Sequence, residues 1–220
     1  MRVTDASLAP PKPRWRGRLH QAAFFVALPF VVALVALASG VEARTAVAVY
    51  GIGLLGVFGT SGLYHRRTWG PRALRWMQRL DHAMIYVLIA GTYTPVSLLA
   101  MNGTWSYVLL ALVWSGAIFG VVIKLSGWRA APVLGAVLYI ALGWAAVLAG
   151  PSLIHGLPLA ALILLAAGGV LYTSGALVLR LRKPNPTPAV FGYHEVWHSM
   201  TLGASACHYI AILLLVLTVS

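Results

Sequence analysis

Acid is the scarcest thing in this chain: Asp5, Glu42, Asp81 and Glu195 are its only carboxylate side chains in 220 residues. Charged residues of both signs make up 9%, against about 25% in an ordinary soluble domain. One cysteine, Cys207, excludes an intramolecular disulfide and a cysteine-based zinc site. No repeat of 20–50 residues is present, which excludes a solenoid or propeller. What fills the chain instead is apolar: 60% of residues are hydrophobic and the mean hydropathy is +0.85. The medium is therefore a bilayer, and about seven spans of ~20 residues use up the length.

Hydropathy places spans at 21–39, 45–64, 82–101, 105–123, 132–150, 157–179 and 197–218, so the expected fold is an all-α, seven-transmembrane-helix bundle. Residues 1–20 form a basic tail and 21–220 the membrane domain. Lysine and arginine test the count independently, because they collect in cytoplasmic loops. Of 16 such residues only Arg44 falls in the alternate set of loops. The expected topology has the N-terminus cytoplasmic and the C-terminus outside. The net charge of +12 needs no nucleic acid, since it is spread over alternate loops rather than gathered on one domain. The basic head, first apolar run and Ala36–Ala38 also sketch a cleavable signal peptide, but the tail is long and the run nearly a full span. The segment 8–18, rich in proline and arginine, is expected to be disordered.

The chemistry concentrates in "GYHEVWHSM", Gly192 to Met200, which carries the H-E-x-x-H pattern of zinc hydrolases at the mouth of the last span. Counted from His194 at about 100° per residue, His198, Thr201, Ser205 and His208 fall near 40°, 340°, 20° and 320°, on one face. Glu195 falls about 100° away. Its expected role is a first-turn acid favoured by the helix dipole and solvated at the interface.

His194 and His198, four residues apart, can converge on one ion, and zinc then needs a further ligand from elsewhere. Topology nominates His65, which ends span 2 in "SGLYH" at the same boundary. Ser61 lies one turn deeper on that face, and Asp81, in "LDHAMIY", opens span 3 there. A lone histidine at a span end is ordinarily interfacial; three of them with an acid and a hydroxyl at one depth favour Zn²⁺, which compensates a desolvated carboxylate. His208 lies about 21 Å up the helix, too far for the same ion, and is expected to make a polar contact in the bundle or line a cavity. His82 is expected at the interface, with His20 in the tail and His155 in an outer loop.

"SGLYH", "LDHAMIYVLIAGTYTP" and "GYHEVWH" resemble the bacterial hemolysin III proteins, which belong with the progestin and adipoQ receptor (PAQR) family and are similar more distantly to the alkaline ceramidases. The resemblance covers all seven spans in order. It implies a multi-pass cell-membrane protein, of the bacterial inner membrane, with Zn²⁺ held by His65, His194 and His198. It also implies that Asp81 bonds the zinc water and that Ser61 stands beside it. Glu195 departs from the receptor branch, so the general-base role of the soluble proteases is not carried over. Intramembrane metalloproteases carry the motif early and an Asp ligand late; the order here is reversed.

An open zinc position can acidify a water to a pKa of about 7 and polarise a carbonyl, and the apolar walls suit a lipid. With Asp81 moving the proton and Ser61 donating to the oxyanion, the ceramidase branch implies lipid amide hydrolysis in membrane lipid homeostasis. Two alternatives stand beside it: a non-enzymatic sensor of membrane state with zinc as a clasp, and a cytolytic protein as the family's name has it. Expected partners are the bilayer and a lipid substrate or ligand, with no nucleic acid. "GAIFG", Gly116 to Gly120, suits close helix packing within the bundle or, as a second option, a homodimer. Pro95 is expected to kink span 3 by leaving the Gly91 carbonyl without its donor, with Thr92 or Thr94 at hand to re-satisfy the local backbone.

Overall fold

The computed structural model describes residues 12–128 and 131–219. Its helices are α1 (Arg18–Leu37), α2 (Gly40–Arg66), α3 (Pro71–Ala100), α4 (Thr104–Ser126), α5 (Ala131–Gly143), α6 (Gly150–Gly156), α7 (Leu159–Leu181) and α8 (Tyr193–Val219). A 3-10 stretch, Ala145–Ala149, joins α5 to α6. Taken with that connection as one unit, they make 7 segments long and apolar enough to cross a membrane, the seven-helix bundle expected.

Sequential helices pack side by side, α2 on α3, α3 on α4 and α7 on α8, and α1 closes against α8. The most buried span is α3, and small residues let its neighbours approach. A Cβ on Gly53 would stand 2.9 Å from the Leu88 Cα, and one on Gly91 would stand 3.1 Å from the Val49 carbonyl oxygen. Tyr50, Tyr86, Leu34, Ile212 and Leu215 fill the buried centre. Gly116 faces Leu142 and Gly120 faces the Tyr86 ring, so the "GAIFG" surface is used inside the bundle.

Three expectations need correction. The fifth span is not one helix: it breaks after Gly143, and Pro151 starts α6 where its missing N–H costs nothing. Unpaired backbone is costly in lipid, and here Tyr93 satisfies it. Its hydroxyl donates to the Gly143 carbonyl at 3.2 Å and accepts the Ala146 N–H at 2.8 Å.

Secondly, α3 begins at Pro71, well before 82. It continues past Pro95, and the Thr92 and Thr94 hydroxyls donate to the carbonyls of Leu88 and Ala90, so both re-satisfy local backbone as expected. The Gly91 carbonyl is not their target. Thirdly, the end of the tail is ordered. Arg14 and Trp15 donate their N–H groups to the carbonyls of Ala189 and Val190, both at 3.1 Å, stitching Pro13–Gly17 to the loop before α8. Residues 1–11, which hold the rest of the tail, lie outside the described residues.

Candidate metal centre and adjoining cavity

The last turn of α2 and the first two turns of α8 meet at the end of the bundle that gathers the basic loops. There His65, His194 and His198 each offer a ring nitrogen, all within 4.8 Å of one another. The Nε2 atoms of His65 and His194 are 3.1 Å apart. Two nitrogens bound to one tetrahedral zinc at about 2.0–2.1 Å stand about 3.3 Å apart, so this separation suits a shared ion. His198 is buried, and its Nε2 has no hydrogen-bond partner among the described residues. A buried imidazole nitrogen beside two convergent ones fits the donor set of a cation site. The three residues nominated from spacing and topology therefore fit a metal, and an all-imidazole set suits Zn²⁺, Cu²⁺, Fe²⁺ or Ni²⁺.

Glu195, expected in solvent, is instead fully buried. Its Oε2 accepts the Gly192 N–H at 2.8 Å, the half of a capping box in which the third helical residue reaches back to the cap. Its Oε1 accepts from Arg16 Nε in an ion pair that ties the N-terminal segment to α8. Glu195 sits in the first turn of α8 as expected, but it is not solvated, because the segment 13–17 folds over it. Both carboxylate oxygens have structural partners, so the glutamate of H-E-x-x-H is a cap and a tether. Gly17 makes this path passable: φ is +77°, and a Cβ there would stand 2.5 Å from the His65 Cβ.

Sequence reasoning missed His20. It sits in the first turn of α1, 2% exposed, with its ring stacked on His198 at 3.7 Å between centroids and 6° between planes. Among the described residues neither of its nitrogens has a partner. The expected place in the tail is corrected, since α1 begins at Arg18; a single histidine at the edge of the first span was the one available signal, and it carries no spacing relation to His194.

Asp81 and Ser61 are both buried. Together with His20 they line the inner part of a cavity of about 1320 Å³ between α3, α5, α7 and α8. The cavity exists because α5 packs on α4 and α7 on α8, while the two hardly touch each other. His82 is half-buried on its wall, its backbone carbonyl accepting from the Tyr139 hydroxyl at 2.6 Å. On α8 the polar face continues as expected. Thr201 lines the cavity, Ser205 bonds the Tyr172 hydroxyl at 2.8 Å, and the His208 ring nitrogen lies 3.2 Å from the Leu165 carbonyl.

A seven-helix membrane bundle with a three-histidine cluster at one end and a polar-ended cavity beside it defines the class. The chain matches the family described as "Haemolysin-III related" over residues 9–209, and it belongs to that family. It is 33% identical to "Hemolysin-3" of Bacillus cereus over 201 residues, 90% of this chain and 89% of that one. It is 34% identical to the "Hemolysin-3 homolog" of Bacillus subtilis (strain 168) over 165 residues, 75% and 74% of the two chains. More distantly, it is 26% identical over 168 residues to the "Monocyte to macrophage differentiation factor" of Homo sapiens, covering 74% of this chain and 67% of that one.

Proposed function

We propose that this protein is a zinc-dependent intramembrane hydrolase of lipid amides, acting at the cytoplasmic face of a bacterial inner membrane. The observation that carries the reading is the convergence of three histidine nitrogens beside a cavity whose inner wall holds Asp81 and Ser61. His65, His194 and His198 would hold the zinc, which when bound supplies Lewis-acid polarisation of a carbonyl and acidification of a water.

Asp81 accepts a proton from the attacking water and returns it to the nitrogen as the carbon–nitrogen bond breaks, leaving a free fatty acid and an amine. Ser61, on the wall of the same cavity, donates its hydroxyl to the developing oxyanion. Glu195 takes no part. Apolar helices around the cavity exclude bulk water and favour an acyl chain.

A second reading is supported by the way α2 and α8 meet over only a short stretch, where the histidines lie. A metal there would act as a clasp between them in a non-enzymatic sensor. Asp81→Asn separates the two. In the hydrolase it keeps metal and fold and lowers fatty-acid release from acyl-amide lipids by about 10²–10⁴. Full retention of function in that variant, whatever the readout, would leave the clasp. The cytolytic reading rests on the names of the bacterial relatives, and lysis of erythrocytes by purified protein would support it.

A further inference from the structure

The cavity beside the metal centre is chemically graded along its length. Its mouth is lined by Arg75 and Arg79 of α3, Lys124 of α4, Arg180 of α7 and Arg182 just beyond it. Among the described residues only one carboxylate lines it, Asp81, which is buried on the inner wall. Midway into the bundle the wall turns apolar at Ile85, Leu88 and Ile140.

The rule that puts basic residues in cytoplasmic loops does not account for this grouping, since Arg67 and Arg72 satisfy the same rule and do not line the cavity. Arg75 of α3 and Arg180 and Arg182 at the end of α7 put like charge around one opening, a potential that an anion entering between them relieves. A second observation points inward: His20, 2% exposed, lines the cavity, and among the described residues neither ring nitrogen has a partner. A buried imidazole in that state is matched by a ligand's own hydrogen-bonding group.

The dimensions order these parts. Along α3, Arg75 precedes Asp81 by about 9 Å and Leu88 follows it by about 10 Å, at ~1.5 Å per residue. A volume of about 1320 Å³ exceeds the ~300–1,000 Å³ of a drug-sized site.

We propose that the cavity binds an anionic lipid, its headgroup held by Arg75, Arg79, Arg180 and Arg182 and its acyl chain lying along Ile85, Leu88 and Ile140. The polar linkage between head and chain then lies at the depth of Asp81, Ser61 and His20. Arginine forks grip a phosphate or carboxylate through paired hydrogen bonds. This names the substrate class of the hydrolase reading and rests on that reading for turnover, but not for binding.

Trp128 and Trp197 line the cavity, so intrinsic fluorescence reports its filling. Purified full-length protein in a neutral detergent is titrated with hexadecyl phosphate, hexadecylphosphocholine and inorganic phosphate. Wild type is expected to bind hexadecyl phosphate at least about tenfold more tightly than the zwitterion. The double variant Arg180→Gln/Arg182→Gln is expected to bring that ratio below about threefold. Arg67→Gln/Arg72→Gln, which removes the same charge away from the cavity, is expected to leave it unchanged.

Equal binding of the two amphiphiles, or an equal loss in both double variants, would overturn the proposal. So would full competition by inorganic phosphate, which would mark a bare anion site. Should the first double variant fail to fold, Arg75→Gln alone replaces it against the same expectation. Rim-dependent binding without any lipid cleavage would sink the hydrolase reading alone. Cleavage of neutral amides without rim dependence would sink this one alone.

Discussion

Replacing Glu195 tests whether the glutamate of H-E-x-x-H is a tether or a base. Its alanine variant loses two bonds. The bond at the start of α8 contributes about 1 kcal/mol by analogy with other caps. The ion pair is buried on the glutamate side, but the Arg16 side chain remains 21% exposed. Its loss therefore falls near 2 kcal/mol, below the ~3–5 of a fully buried pair.

The sum of about 3 kcal/mol lowers the melting temperature by about 6–12 °C in a chain of this size. Glu195→Gln keeps the shape and an acceptor for the Gly192 N–H but loses charge assistance, a cost of about 1–2 kcal/mol. Thermal unfolding of detergent-solubilised protein measures both, with metal content measured on the same samples. Arg16→Gln and the double variant complete a cycle whose coupling should be at least about 1 kcal/mol. Normal stability in Glu195→Gln, with hydrolysis reduced by about 10²–10⁴, would refute the tether and restore the base.

Three further outcomes follow from the geometry. His20→Ala should weaken metal binding by about 10–100-fold in chelator competition, the usual cost of losing an outer partner of a ligand. His20→Phe, which restores a flat ring against His198, should bind within about threefold of wild type, and failure of that rescue would mean the nitrogens rather than the stack matter. Tyr93→Phe strands the Ala146 N–H and the Gly143 carbonyl where the fifth span breaks, at about 2 kcal/mol, or a fall of about 4–8 °C in unfolding temperature. Tyr50→Phe is its counterpart: that hydroxyl is buried without a partner among the described residues, so removal should cost nothing or stabilise.

The spans were readable because a bilayer demands long apolar helices, and the loops between them carry charge of one sign. Once the spans were placed, His65 could be brought to His194 and His198 across 129 residues by depth alone. The same argument could not reach His20 or the Arg16–Glu195 pair. Both depend on the path of the chain over the end of the bundle, a lateral matter on which hydropathy is silent. Arg16 and Glu195 are 179 residues apart, and neither position has a periodic partner. The break in the fifth span was also hidden, because Tyr93, on α3, supplies the bonds that make it tolerable. Burial of Glu195 reversed its expected exposure for the same reason: the segment that covers it is far away in sequence.

The central claim is that three helix-borne histidines form one metal site, and elemental analysis of purified protein tests it most directly. Wild type should carry about one zinc per chain, and His65→Ala, His194→Ala and His198→Ala should each lose it while remaining folded. Well-folded wild type that takes up no metal when supplied with zinc, or three variants that all retain it, would contradict the account.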